Sequence, residues 1–166
     1  HDDRHVMRDA TLATVIDIST PNDLGLLVGF AAPGIGYVYM AHMDPATALG
    51  ETPYDAATNA FGQIVDYFQV NNAEAVILDV RYNPGGTDNV SFAYAGFFTD
   101  TALPAFQKST RTDTGMTAPY TAMLAPQTPT MNGPVVVLTT PYTGSAAEIF
   151  TLAMRELPQV TVMGEP

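Results

Sequence analysis

The sequence has no cysteine, a single lysine and no long apolar run, and each absence narrows what the chain can be. Without cysteine there is no thiol nucleophile, no disulfide and no thiolate metal site, so Ser, Thr, Lys or carboxylates remain as nucleophiles. Redox compartment is left open, since secreted and cytosolic proteins can both lack cysteine. No stretch approaches the roughly 18 apolar residues of a membrane-spanning helix. No hydrophobic signal core follows His1-Asp2-Asp3-Arg4 either, and a mature secreted protein with its leader removed would read the same way. Basic residues are scarce: six Lys plus Arg stand against seventeen Asp plus Glu, a formal net charge of -11. That sign repels phosphate backbones and anionic headgroups, so neither nucleic acid nor membrane insertion is expected.

What is present suffices for one domain: 166 residues, 46% of them hydrophobic. Residues 36–43 alternate aromatic and aliphatic positions, which predicts a strand ending at Asp44-Pro45. Thr52-Pro53 then supplies a cap and a first-turn proline, and Ala57, Phe61, Ile64, Val65 and Phe68 recur at helical spacing, so residues 53–70 read as an amphipathic helix. The run Ala75 to Val80 has the continuous apolar character of a parallel strand covered on both faces. After Asn83-Pro84-Gly85-Gly86, Val90, Ala93, Tyr94 and Phe97 indicate a second helix that Asp88 can cap. Pro134 to Thr139 reads as another buried strand, Ser145 to about Leu157 as a third helix, and Val160 to Met163 as a fourth strand. Successive β-α units give an α/β fold, a mostly parallel sheet with helices on its faces. Residues 99–131, rich in Thr, Ala and Pro, break the rhythm and read as an inserted segment, irregular or antiparallel, forming one wall of a cleft. Residues 1–35 are an N-terminal segment, read as the remnant of a preceding module. Leu12 to Ile18 within it reads as an edge strand. The core from residue 36 to 166 stops directly after a strand, as a truncated fold would.

Ligands of a parallel sheet bind beyond the carboxyl ends of its strands, where helix N-termini converge. Two loops stand at such positions: Asp79-Val80-Arg81-Tyr82-Asn83-Pro84-Gly85-Gly86 and Thr140-Pro141-Tyr142-Thr143-Gly144-Ser145-Ala146-Ala147-Glu148. The plain reading of the first is a tight turn; the functional reading is that its glycines bare N–H groups to a developing negative oxygen. The plain reading of Ser145 is the cap of a Ser-Ala-Ala-Glu capping box, the commoner use of that pattern. The functional reading is a nucleophile at the positive end of a helix, with the Ala146 N–H as an oxyanion donor, the geometry of other strand-turn-helix serine hydrolases.

Taken together and in order, the two loops, the P-V-V-V-L strand between them, T-x-S-A-A-E-I-F and the final G-E resemble the C-terminal processing (tail-specific) serine peptidases and their tricorn-core relatives, from about Gly36 to Glu165. The resemblance implies a crotonase/ClpP-like core and a serine endopeptidase. Ser145 would form the acyl-enzyme, Ala146 with Gly85 or Gly86 would hold the oxyanion, and no cofactor would be needed. The alternative is a catalytically silent relative that binds peptides or hydrophobic ligands. The implied partner is a peptide or unfolded protein, and the implied location secreted or periplasmic. Family members use a lysine about two dozen residues after the serine, which here would lie beyond Pro166, or a histidine. Within the chain, His42 at a strand end is the candidate base, and Lys108 reads as a solvated loop charge. Asp44, His42 and Asp79 lack the spacing of a metal site.

Overall fold

A computed structural model describes residues 25–165 together with Asp9, Leu12 and Val15. The edge strand expected over Leu12 to Ile18 lies largely outside the described residues; of its two described members, Leu12 is helical and Val15 lies in a bend. The first described element is a hairpin, Leu26–Ala32 (β1) against Ile35–Met40 (β2), paired antiparallel. Its turn is Pro33-Gly34, with Gly34 at φ +76°, the order a type II turn requires. Helix Pro53–Val70 (α1) follows, its first turn closed by a Thr52/Asp55 capping box. Strand Ala75–Asp79 (β3) comes next, then helix Asp88–Ala95 (α2), whose cap position is Thr87 rather than Asp88, and a 3-10 turn over Gly96–Phe98.

The insert resolves as antiparallel. Strands Leu103–Lys108 (β4) and Tyr120–Leu124 (β7) pair, and between them Arg111–Thr112 (β5) and Gly115–Met116 (β6) form a short tip. Short strands with a proline and a register shift between Pro104 and Phe106 blur the alternation that would have announced this ribbon. The chain returns as Val135–Thr139 (β8), helix Ala146–Arg155 (α3) and Val160–Gly164 (β9).

The central sheet runs β1-β2-β3-β8-β9, with β2, β3, β8 and β9 parallel. Because the parallel strands advance in one direction, right-handed crossovers put their helices on one face. That face carries the core: Val38, Met40, Val76, Leu78, Val135 and Val137 pack with Phe61, Phe68, Tyr94 and Phe150. On the other face Ile77, Val136 and Leu138 are only half-buried, so the run from Ala75 is covered fully on one side alone. Phe61 anchors an aromatic cluster, with ring centroids 5.0 Å from Tyr94, 5.5 Å from Phe97 and 5.9 Å from Phe98. Emptying that position would cost about 3–5 kcal/mol. Gly36 makes room for the other buried ring of α1, since a Cβ there would stand 2.8 Å from Phe68. Parallel register aligns Tyr39 with Asp79 and Asp79 with Leu138, so the loops after β3 and β8 leave the sheet at the same rim.

Candidate active site

Ser145 sits on the sharp turn between β8 and α3, exposed, at φ +53° and ψ -121°. A non-glycine residue in that conformation is strained by roughly 1–3 kcal/mol, and such strain persists only where the surroundings enforce it. The enforcement is visible. Gly144 N–H donates to the Asn83 carbonyl at 3.0 Å, and the Thr143 hydroxyl donates to the Val80 carbonyl at 2.9 Å. The Thr140 hydroxyl donates to the Arg81 carbonyl. Three bonds thus staple the serine loop to the double-glycine loop. Glu148 adds a fourth constraint, its Oε2 accepting from Ser145 N–H at 2.6 Å. Both members of the capping box stand in register, but only the Glu148 carboxylate makes a capping hydrogen bond; Glu148 N–H donates to the Ser145 carbonyl at 2.9 Å.

The two glycines of Asn83-Pro84-Gly85-Gly86 are not equivalent. Gly85 is buried at φ +104°, and a Cβ on it would stand 2.6 Å from Ser145 Cβ and 2.9 Å from Ala146 N. Its absent side chain is what lets the loops touch. Its N–H is already committed to Asn83 Oδ1 at 2.9 Å. Gly86 is exposed, at φ +146°, and forms a parallel bridge with Met43 in which Met43 N–H donates to Gly85 O and Thr87 N–H to Met43 O. That bridge leaves the Gly86 N–H without a hydrogen-bond partner among the described residues, and the Ala146 N–H, first of α3, has none there either. Each of the two stapled loops therefore carries one unspent amide, Gly86 next to the glycine that touches Ser145 and Ala146 directly after the serine.

A profile of peptidase family S41 matches residues 34–166. The chain belongs to peptidase family S41. Over 119 residues this S41 chain is 29% identical to the carboxy-terminal processing protease CtpA of Bacillus subtilis (strain 168), an alignment covering 72% of the chain and 24% of that protein. It superposes on the crystal structure of a peptidase candidate from Parabacteroides merdae ATCC 43184 with a TM-score of 0.77 at 29% identity, over 95% of this chain and 47% of that one. The photosystem II D1 C-terminal processing protease shares the fold, with a TM-score of 0.54 at 21% identity over 77% and 29% of the two chains. The S41 chain thus spans less than half the length of each of these proteins.

The remaining sequence candidates fall elsewhere around the S41 core. The His42 ring lies over Gly25, where a Cβ would stand 2.5 Å from Nε2, and its Nδ1 accepts from Asp44 N–H at 3.3 Å. Among the described residues no hydrogen bond joins His42 to Ser145. Lys108 is on β4, loosely paired with Asp88 at 3.9 Å. Asp79 is spent on structure: buried at 1% exposure, it accepts from the Tyr37 hydroxyl at 2.5 Å and from Arg81 Nε and an Arg81 terminal nitrogen at 2.9 and 2.6 Å. Burial, then the Asp79 carboxylate, push the Tyr37 phenol above its ordinary value, and the same carboxylate raises Arg81. No group of three or more His, Cys, Asp or Glu able to hold a metal ion occurs among the described residues.

Two residues escaped sequence reasoning. Asn83 is fully buried, and its side-chain amide spans Met40 O at 3.0 Å and Gly85 N–H, fixing the double-glycine turn to the end of β2. Ser91 is fully buried on α2 and donates to Ala146 O at 2.5 Å, tying α2 to the first turn of α3. Asn before Pro-Gly-Gly reads as ordinary turn chemistry, and a lone serine on a helix carries no signal, so only coordinates disclose either role.

Proposed function

We propose that this chain is the catalytic core of a serine-type peptidase, in which Ser145 is the nucleophile and the amides of Gly86 and Ala146 hold the oxyanion. The observation that carries the proposal is a strained, exposed serine on a loop stapled to the double-glycine loop, each loop carrying one N–H without a partner among the described residues. Gly86 replaces Gly85 as the glycine donor, because the Gly85 amide is occupied by Asn83. Ser145 Oγ attacks the peptide carbonyl carbon as a base removes its proton. The carbonyl oxygen becomes anionic between the two amides; the C–N bond then breaks as the amine takes the proton, leaving an acyl-serine that water hydrolyses. One such donor contributes roughly 10²- to 10³-fold to turnover. The base is proposed to come from the longer protein, with His42 the candidate inside the described chain. Peptide or unfolded-protein substrates and a secreted or periplasmic setting follow from the family resemblance; no described helix is long and apolar enough to cross a membrane.

The test is labelling of the full-length protein with a fluorophosphonate. Labelling that disappears in Ser145→Ala supports the nucleophile; an unlabelled protein that still binds peptide is a silent relative of the family instead.

A further inference from the structure

Two residues beyond Gly86 the chain enters a recess of about 310 Å³ between the start of α2 and the β4–β7 ribbon. We propose that this recess is a substrate subsite that receives one large apolar or aromatic side chain of the bound peptide; the inference rests on the peptidase reading above. Its volume is at the small end of the roughly 300–1,000 Å³ typical of ligand pockets, suited to a side chain rather than to a cofactor. Phe92 of α2 and Phe106 of β4 form one wall, their rings stacked with centroids 5.9 Å apart and planes 24° from parallel. Tyr54 of α1 closes another side, its ring held because its hydroxyl accepts from Gln127 Nε2 at 2.6 Å.

The ribbon contributes Tyr120 and Met123, which are 68% and 50% exposed. Single exposed hydrophobics are ordinary on any surface. Here two converge on a recess whose walls are already aromatic, which marks a binding surface rather than chance exposure. Met123 adds a flexible, polarisable wall that adapts to different apolar shapes. Buried Ala122 between them keeps the floor low, and a larger residue there would fill the space.

The mouth selects against charge. Lys108 and Asp88 line it as an exposed pair 3.9 Å apart, opposite signs that offer no net field to a charged side chain. A cation or anion entering would lose hydration without a matched partner. The recess is coupled to the chemistry through α2, because Asp88 begins the helix and Ser91, one turn on, is bonded to Ala146 O. A side chain seated beside Phe92 would fix the peptide's register against Ser145.

The experiment uses full-length protein carrying Ser145→Ala and fluorescent peptides of one length that differ at a single position: Phe, Leu, Ala, Glu or Lys. At one position Phe and Leu should bind at least about 10-fold more tightly than Ala, Glu or Lys, within the range a hydrophobic pocket discriminates. Ala122→Phe should reduce that preference to within about 2-fold, and Met123→Ala, on the exposed rim where folding is not at stake, should weaken it measurably. Absence of binding, absence of a preference, or a preference that survives both substitutions overturns the subsite. Cleavage of Phe and Ala peptides at equal rates by a fluorophosphonate-reactive protein would overturn the subsite and keep the nucleophile. Unreactive Ser145 with a preference erased by Ala122→Phe would do the reverse.

Discussion

The N-termini of α1 and α3 carry the same local pattern, a hydroxyl residue followed three positions later by a carboxylate, and the fold uses them differently. Thr52 is extended, at φ -87° and ψ 156°, and its hydroxyl accepts from Asp55 N–H at 3.1 Å while the Asp55 carboxylate reaches back to Thr52. Ser145 is held at φ +53°, its side chain makes no cap hydrogen bond, and the double-glycine turn presses on its Cβ side. One box starts a helix in a relaxed backbone; the other presents its hydroxyl to solvent on a strained one. Strain, not the capping pattern, separates a cap from a candidate nucleophile.

The largest test of that contrast is catalytic. Ser145→Ala should lower peptidolysis by the full-length protein at least about 10³-fold, whereas Thr52→Ala should leave it within about 2-fold in the same fluorogenic assay. Gly85→Ala should come next, with activity down about 10²-fold or more and stability down by at least about 2 kcal/mol in urea unfolding. Its Cβ has no space beside Ser145 and its φ of +104° suits glycine alone. Stability then reverses the ranking of the two caps: Thr52→Ala should cost about 0.5–2 kcal/mol, while Ser145→Gly should gain roughly 1 kcal/mol by releasing the strain. Equal losses at both positions in thermal melts would mean that Ser145 is a cap like Thr52.

The same distinction between satisfied and unsatisfied groups applies to two buried tyrosines, with the smallest expected effect. The Tyr37 hydroxyl has Asp79, whereas the Tyr94 hydroxyl has no hydrogen-bond partner among the described residues. Tyr94→Phe should therefore stabilise by about 1 kcal/mol, the cost of desolvating an unpaired hydroxyl. Burial raises the Tyr94 phenol above its ordinary value near 10. Its contribution is intact below about pH 10 and is lost as pH climbs further, because the unfolded chain ionises first. The Phe variant should lose less stability than the parent between about pH 10 and 12, as read by chemical denaturation at each pH.

Much of the core was legible because its elements are locally encoded. The bounds of α1 follow from Thr52-Pro53 and the spacing from Ala57 to Phe68, and β3 and β8 from short apolar runs. Strand β1 was missed although Leu-Leu-Val-Gly-Phe before Pro33-Gly34 is a hairpin signal, because Gly29 and the small Ala31 and Ala32 mute its alternation. The candidate site was legible as two loops on one rim. Which glycine amide is free was not, since that depends on where the Asn83 side chain turns, a contact made only once β2 and β3 are paired.

By itself the sequence determined most element types of the core from β2 onward and the shared rim of the two loops, and it singled out Ser145 as the candidate nucleophile, since periodicity, capping residues and turn residues act over a few positions. Only the tertiary structure decided the strain at Ser145, which of the Gly85 and Gly86 amides is bonded to Asn83, and the recess under the ribbon. Those arise where segments dozens of residues apart exclude one another's volume and compete for the same hydrogen bonds, and no local pattern encodes such a competition.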